Sequence, residues 1–407
     1  MVFHPCFNIR CIVLHRQRKY PSIELMKSKT VILGAGFAGR QACRALSRTD
    51  TEIILFDPRA ETVMLPALPD VAGGWIPEKI LFRSIDEVVP DHVHHIREKA
   101  TAIDLDQKKV TAGNTEHPFD HLLIAGGSVA DFHGFDQHLE SVYTLDTLES
   151  ARRIREDFPR YLANASQPHL VIAGGGYTGL ELAAALRFRS IRNGTPCRVT
   201  VADPAEKILP FLSEKEHRRI LTFLEASGIQ ILHNTRITAF NGDAVHIGET
   251  VLENAFFCWA GGSKLAVPDV RGKVQQLKDG RLRVQPDLSL PGYPDVFAAG
   301  DSAALMDGEQ PLRKAINFAY YEGLRAGKNI SSRIRNKPTK PFKPVDLGWI
   351  IPLHAQSTGK LFSALPVHGR PGLRMHYFMC GLRNYSLRNF MQFTKISLAL
   401  FGKEKTS

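Results

Sequence analysis

A chain of 407 residues with 43% hydrophobic content is too long for one average core and too apolar for disorder, so two or three folded domains are expected. Its net charge of +11 sits at the ends: residues 331–407 carry 13 Lys/Arg against Asp346 and Glu404, and residues 1–29 carry six bases against Glu24, leaving the stretch between them net acidic. A basic end suits anionic lipid, nucleic acid or plain solubility, and the absence of any run of 18 apolar residues excludes a bilayer-spanning helix.

Residues 1–28 contain no apolar stretch followed by a small-residue cleavage site, so they do not read as a secretion signal. They match no element of the body. Met26 lies just before the first strand, and one explanation is a natural start there, with a leader that is not native.

The body opens with "KTVILGAGFAGRQACRAL", an apolar strand, a glycine turn and a helix. "TEIILFD" is the next strand and ends at Asp57. "HVHH" at 92–95 reads as a half-exposed strand rather than a metal site, and "FDHLLIAGGS" is a buried strand ending in glycines. "TLDTLESARRIREDF" begins a helix, with Asp146 as the expected N-cap.

The pattern then repeats. "HLVIAGGGYTGLELAAALRFR" is strand, turn and helix; "RVTVAD" is the strand ending at Asp203; "AFFCWAGGS" is a second glycine-ended strand. "DVFAAGDSAAL" is a strand closing at Gly300 and Asp301, and "AINFAYYEGLRAGKNISSRI" is a helix. The proline-rich joint "KPTKPFKP" leads into a tail with short strand-like segments around "DLGWIIPLH".

The two glycine turns carry specific chemistry. Gly34 permits the tight exit from the strand, Gly36 lets a pyrophosphate approach the backbone, and Gly39 lets helix and strand pack closely. The helix N-terminus then offers free N–H groups to the phosphates. Gly174, Gly176 and Gly179 repeat that spacing. Asp57 and Asp203 end the following strands, where a carboxylate accepts from ribose hydroxyls; at Asp203 it disfavours a 2′-phosphate, and so favours NADH over NADPH. Two turns call for two dinucleotides. A carboxylate at Asp301 suits the ribityl chain of a flavin, which assigns FAD to the first turn and NADH to the second.

Read as one helix, residues 382–401 place Leu382, Tyr385, Phe390, Phe393, Ile396 and Leu400 on one stripe, with Arg383, Arg388 and Lys395 mostly off it. Such a helix suits the headgroup layer of an anionic membrane. The same period also suits a helix docked on the protein's own body or on a second subunit, as in a homodimer.

Cysteines stand at 6, 11, 43, 197, 258 and 380 with no C-x-x-C pair. Cys43 has no partner four or five residues on, which speaks against a dithiol relay. Cys258 lies on a predicted strand and reads as a core thiol. No metal, haem, iron–sulfur or nucleic-acid-binding signature accompanies these features.

With these motifs the chain resembles the two-dinucleotide-binding-domain flavoproteins, and most of all their type II NADH dehydrogenase (NADH:quinone oxidoreductase) branch. The matching stretches are "VILGAGFAG", "FDHLLIAGGS", "VIAGGGYTGLELA", the Trp-Ala-Gly of "CWAGGS" and "GYPDVFAAGDSA". The resemblance implies an α/β architecture of two Rossmann-like domains. An NADH domain (146–262) is inserted in an FAD domain (29–145 and 263–335), followed by a membrane-associating segment (336–407). It implies electron transfer from NADH through FAD to a membrane quinone, ubiquinone or menaquinone, without proton pumping. It also implies a peripheral place on the cytoplasmic face of the cell membrane.

Carried over residue by residue, Gly34, Gly36, Gly39 and Asp57 match the FAD positions, and Gly300 and Asp301 the ribityl motif. Gly174, Gly176, Gly179 and Asp203 match the NADH positions. Glu181 matches a glutamate near nicotinamide and flavin. The family's A-Q-x-A-x-Q-x-G helix is here "INFAYYEG", so Asn317 and Tyr321 replace the two glutamines expected at the quinone. Soluble or sulfide-linked flavoprotein reductases, and a slow flavin-binding regulator, are the alternatives.

Overall fold

The computed structural model describes residues 27–266, 268–362, 364–383 and 387–399. Leader residues 1–26, Tyr385 and Leu400 lie outside that set.

The first sheet has six strands in the order Ser289–Leu290, Tyr293–Ala298, His121–Ile124, Ser28–Leu33, Thr51–Phe56 and Val93–Ile96. All pairs are parallel except the hairpin joining the first two. Its strands are near-continuous apolar runs because both faces are covered; Val31, Ile32, Leu55, Leu123 and Phe297 are all buried. The expected strand at 92–95 is its edge strand, Val93–Ile96. Helix α1, Phe37–Leu46, leaves the first glycine turn, and a short helix α2, Leu68–Ala72, follows.

Helix α3, Leu148–Asn164, leads into a second sheet. The N-cap is Thr147, whose side chain accepts from the Ser150 N–H at 3.0 Å, and not the expected Asp146. Asp146 instead accepts from the Thr144 and Ser150 hydroxyls, so its carboxylate steadies the turn before the cap. The second sheet runs Ile229–Leu232, Arg198–Ala202, His169–Ala173, Ala255–Trp259, wholly parallel. Helix α4, Tyr177–Arg192, leaves its glycine turn, and α5, Glu214–Ala226, starts at a Ser213/Glu216 capping box. Strand Tyr293–Ala298 then returns to the first sheet, so the second unit is inserted within the first. Helix α6, Ile316–Ile334, packs on α1.

The tail folds as a three-stranded antiparallel sheet, Gly348–Leu353, Gln356–Leu361 and Leu365–His368. It continues as α7, Gly369–Arg383, and α8, Leu387–Ala399. The single helix expected over 382–401 is therefore corrected to two helices that fold back on each other. A Cβ at Gly381 would lie 3.1 Å from the Phe393 Cβ, a proximity impossible twelve residues apart on one straight helix. The expected apolar stripe divides: Leu382 is exposed, while its α8 members turn toward the protein. Phe393 is fully buried and Ile396 packs on the core, whereas Leu387, Met391 and Leu398 point out. Ile351, Leu353, Leu373, Tyr377 and Cys380 join the same core cluster as Leu180 and Leu186 of α4, so the tail is docked on the second unit.

Candidate functional site

Each glycine turn has the shape that a pyrophosphate needs. Gly34 has φ +95°, and a Cβ there would stand 2.3 Å from the Ala125 carbonyl oxygen. A Cβ at Gly39 would stand 1.8 Å from the Gly34 oxygen, while one at Gly36 would meet nothing within 4 Å. Gly36 thus fronts open space at the start of α1, where a phosphate can reach the backbone. The second turn repeats this: Gly174 at φ +104°, a Gly179 Cβ 2.0 Å from the Gly174 oxygen, and Gly176 open.

The strand-end acids brace their turns. Asp57 accepts from the Ala35 N–H at 2.8 Å and from the Arg59 guanidinium at 2.9 and 2.8 Å. Burial is the largest influence and works against its charge, but the Arg59 hydrogen bonds and charge, together with the Ala35 and Arg59 N–H groups, outweigh it and hold the carboxyl below its ordinary range. Asp203 accepts from the Gly175 N–H at 2.6 Å and the Ala205 N–H at 2.8 Å.

One cleft runs from Gly36 past Gly127 and Ser128 to Gly300 and Asp301, and ends at Lys314, Ala315 and Ile316 at the start of α6. The Ser128 hydroxyl donates to Asp301 at 2.7 Å, and the Gly300 N–H donates to Glu322 at 2.6 Å. Burial pushes Glu322 up to about 7. Glu322 was not singled out in the sequence, although its helical register with Phe318, Ala319 and Ala326 puts it on the buried face.

A second, mainly apolar pocket of about 460 Å³ shares Leu65, Lys314, Ala315 and Ile316 with that cleft. Its walls come from α4 (Tyr177, Thr178, Glu181), α6 (Ile316, Asn317), the tail sheet (Trp349, Ile350) and α7 (His376, Met379, Cys380). Glu181 and Asn317 therefore face one pocket. Tyr321 does not; it lines a separate cleft with Arg325 and Lys343. The segment Val345–Leu347 runs between the two, and Leu347 borders both. The Asn317 amide is held, donating to the Val345 carbonyl at 2.8 Å and accepting from Arg383 at 3.1 Å.

Buried titratable groups gather behind this pocket. Burial, with the Asp70 charge beside it, raises Glu181 well above a normal carboxyl. Burial raises Asp70 to about 7 despite a 2.9 Å hydrogen bond from Tyr377 Oη. His376 is pushed down to about 4 by burial and stays neutral. The wall therefore favours the protonated form of Glu181. The Cys380 thiol is raised by burial and stays protonated, as does Cys43, pushed up to about 12. Cys197 and Cys258 are also fully buried, so the thiols read as packing groups. Sequence reasoning missed Asp70, Lys314, Trp349 and Tyr377. Nothing local marks them, because chain segments 300 residues apart assemble them.

The residues fit two dinucleotides. Gly36 opens on the cleft that shares a wall with the apolar pocket, and Gly176 fronts open space at the start of α4, whose Tyr177, Thr178 and Glu181 wall the same pocket. In the wall of the apolar pocket the buried Tyr177 Oη has no hydrogen-bond partner among the described residues, which suits a polar ligand group there.

Comparisons with known proteins agree. The family model for pyridine nucleotide-disulphide oxidoreductases matches residues 28–323. A type II NADH:quinone oxidoreductase of Staphylococcus aureus is 26% identical over 373 residues, covering 84% of this chain and 92% of that protein. The solved structure of NDH2 from Plasmodium falciparum in complex with NADH superposes with a TM-score of 0.78 at 14% identity, covering 91% of this chain and 98% of that one. The sulfide:quinone oxidoreductase of Aquifex aeolicus gives 0.73 at 20% identity, covering 91% and 92%.

Proposed function

Since the chain belongs to the pyridine nucleotide-disulphide oxidoreductase family, we propose that it is an FAD-dependent NADH:quinone oxidoreductase of the type II, non-pumping kind. The observation that carries this reading is the shared wall at Leu65, Lys314, Ala315 and Ile316, where the cleft between Gly36 and Asp301 adjoins an apolar pocket large enough for a quinone ring. When bound, FAD supplies the two-electron chemistry between nicotinamide and quinone.

The chain's own residues bind, orient and hold a proton. Gly36 and the α1 N-terminus receive the FAD pyrophosphate, Asp57 its ribose, and Gly300 and Asp301 the ribityl chain. Gly34 and Gly39 keep that turn tight. Gly176 and the α4 N-terminus receive the NADH pyrophosphate, with Gly174 and Gly179 shaping the turn and Asp203 taking the ribose. Burial favours the protonated form of Glu181, which can give its proton to a reduced quinone oxygen. Asn317 orients the pocket wall through Val345 and Arg383. Tyr321, one turn along α6, faces the neighbouring cleft and takes no part in the reaction.

The enzyme lies on the cytoplasmic face of an anionic membrane, where NADH is made. Leu387, Met391 and Leu398 face outward on α8, with Arg388 and Lys395 beside them, and suit the headgroup layer. The described residues contain no helix long and apolar enough to cross a membrane.

The test is anaerobic. NADH should bleach the flavin of the purified protein within seconds, and a short-chain quinone should restore its colour. A protein without flavin, or one whose reduced flavin ignores quinone, rejects the reading.

A further inference from the structure

Beside the acceptor pocket lies a second cavity that the proposed reaction does not use. It has a volume of about 600 Å³ and is lined by Arg325, Lys328, Lys340 and Lys343 without an acidic residue. None of the four side chains makes an ion pair with any described residue. Four cations around one concavity, with no acidic partner among the described residues, create a strong anion field.

The wall is built in advance. On α6, Arg325 and Lys328 fall on the face that Tyr321 and Leu324 continue, at helical spacings of three and four. The opposite wall is the joint that repeats Lys and Pro every third residue: Lys337, Lys340, Lys343 and Pro338, Pro341, Pro344. Prolines hold such a segment extended. Its backbone is also tied down. Asn329 exchanges hydrogen bonds with Lys340 N and O at 3.0 and 2.9 Å, Thr339 Oγ1 donates to Asp287 at 2.7 Å, and Phe342 N donates to Pro286 O at 2.7 Å. Little backbone ordering remains to be done when a ligand arrives.

We propose that this cleft binds the phosphate of an anionic phospholipid and seats that lipid at the mouth of the acceptor pocket. The inference rests on the membrane reading above. Chemistry favours a lipid over free phosphate. The cations share the cavity with an exposed apolar ledge, Tyr321 and Val345, and the hairpin-tip residue Phe362, joined to the lining residue Leu347, exposes 63% of its surface. The Phe362 N–H donates to the carbonyl of Leu347, which lines both cavities. An acyl chain leaving the cations along this ledge would lie where a quinone tail enters.

The test uses the full holoenzyme and vesicles of phosphatidylglycerol or phosphatidylcholine. Lys328→Ala/Lys343→Ala should lose about 30-fold in affinity for phosphatidylglycerol vesicles, at about 1 kcal/mol per base. Lys328→Arg/Lys343→Arg should retain that affinity. Bleaching by NADH and turnover with a short-chain quinone should be unchanged in both. Affinity within twofold of the native protein for the alanine pair overturns the proposal. So does release of the native protein by millimolar inorganic phosphate but not by chloride at equal ionic strength, which would make the cleft a free-phosphate site. If the native protein binds neither vesicle, the membrane reading fails along with this one. If it binds both vesicles equally, only the lipid-phosphate site fails.

Discussion

Tyr377 on α7 donates its hydroxyl hydrogen to Asp70 on α2 at 2.9 Å, a bond between residues 307 positions apart that ties the tail to the body behind the acceptor pocket. Both groups are buried. Tyr377→Phe would leave the Asp70 carboxyl without this partner, at a cost of about 1–3 kcal/mol. Denaturant unfolding of the holoprotein should show a lower midpoint with an unchanged slope. An unchanged midpoint would mean that water replaces the hydroxyl.

The same carboxyl makes stability depend on pH. Folding raises Asp70 from 3.8 to about 7. Between about pH 4 and pH 7 the folded chain keeps a proton that the unfolded chain has released, so stability falls as pH rises through that window and levels off above it. Asp70→Asn removes this contribution. Thermal midpoints should fall less steeply across the window in the variant than in the native protein.

Glu181 should separate the two halves of the reaction. A glutamine there keeps the shape and loses the proton. Glu181→Gln should leave flavin bleaching by NADH within a few-fold of native and slow reoxidation by quinone by about 10²-fold, the scale of a lost general acid. Stopped-flow absorbance measures each half alone. Equal loss in both halves would make Glu181 a packing residue.

The glycine turns give a pair of complementary losses. Cβ atoms at Gly39 and Gly179 would lie 1.8 and 2.0 Å from the Gly34 and Gly174 carbonyl oxygens. Gly39→Ala should purify without its yellow colour. Gly179→Ala should stay yellow, bleach with dithionite, and no longer bleach with NADH. Loss of flavin from the second variant instead would reverse the assignment of the two turns.

Those turns were legible because their physics is local: an apolar strand, a positive φ and a helix start all lie within nine residues. The return of strand Tyr293–Ala298 to the first sheet was legible too, through the "AAGD" that closes it. The acceptor pocket was not. Asn317 and Tyr321 stand one helical turn apart and read as neighbours at one quinone, yet the Val345–Leu347 segment passes between them, and no pattern within α6 announces it. Asp70, Glu181 and Tyr377 meet only through tertiary packing. What covers the tail's apolar stripe was left open for a related reason. A 3.6-residue period shows that a helix has an apolar face, but not whether water, lipid or the protein itself covers it.

The two faces of α8 can therefore be told apart by substitution. Phe393 is fully buried in the core shared with α4, whereas Leu387 and Met391 are 74% and 50% exposed. Phe393→Ala should destabilise the fold by about 3–5 kcal/mol, the usual cost of truncating a buried phenylalanine. Leu387→Asp/Met391→Asp should leave the unfolding midpoint within about 0.5 kcal/mol, as exposed positions do, and should shift the protein from the vesicle pellet to the supernatant. Outward apolar residues with Arg388 and Lys395 alongside account for that pairing, since inserting two carboxylates both removes apolar contact and repels the anionic leaflet. If the aspartate pair unfolds the protein or leaves it in the pellet, the outward stripe is not what meets the lipid.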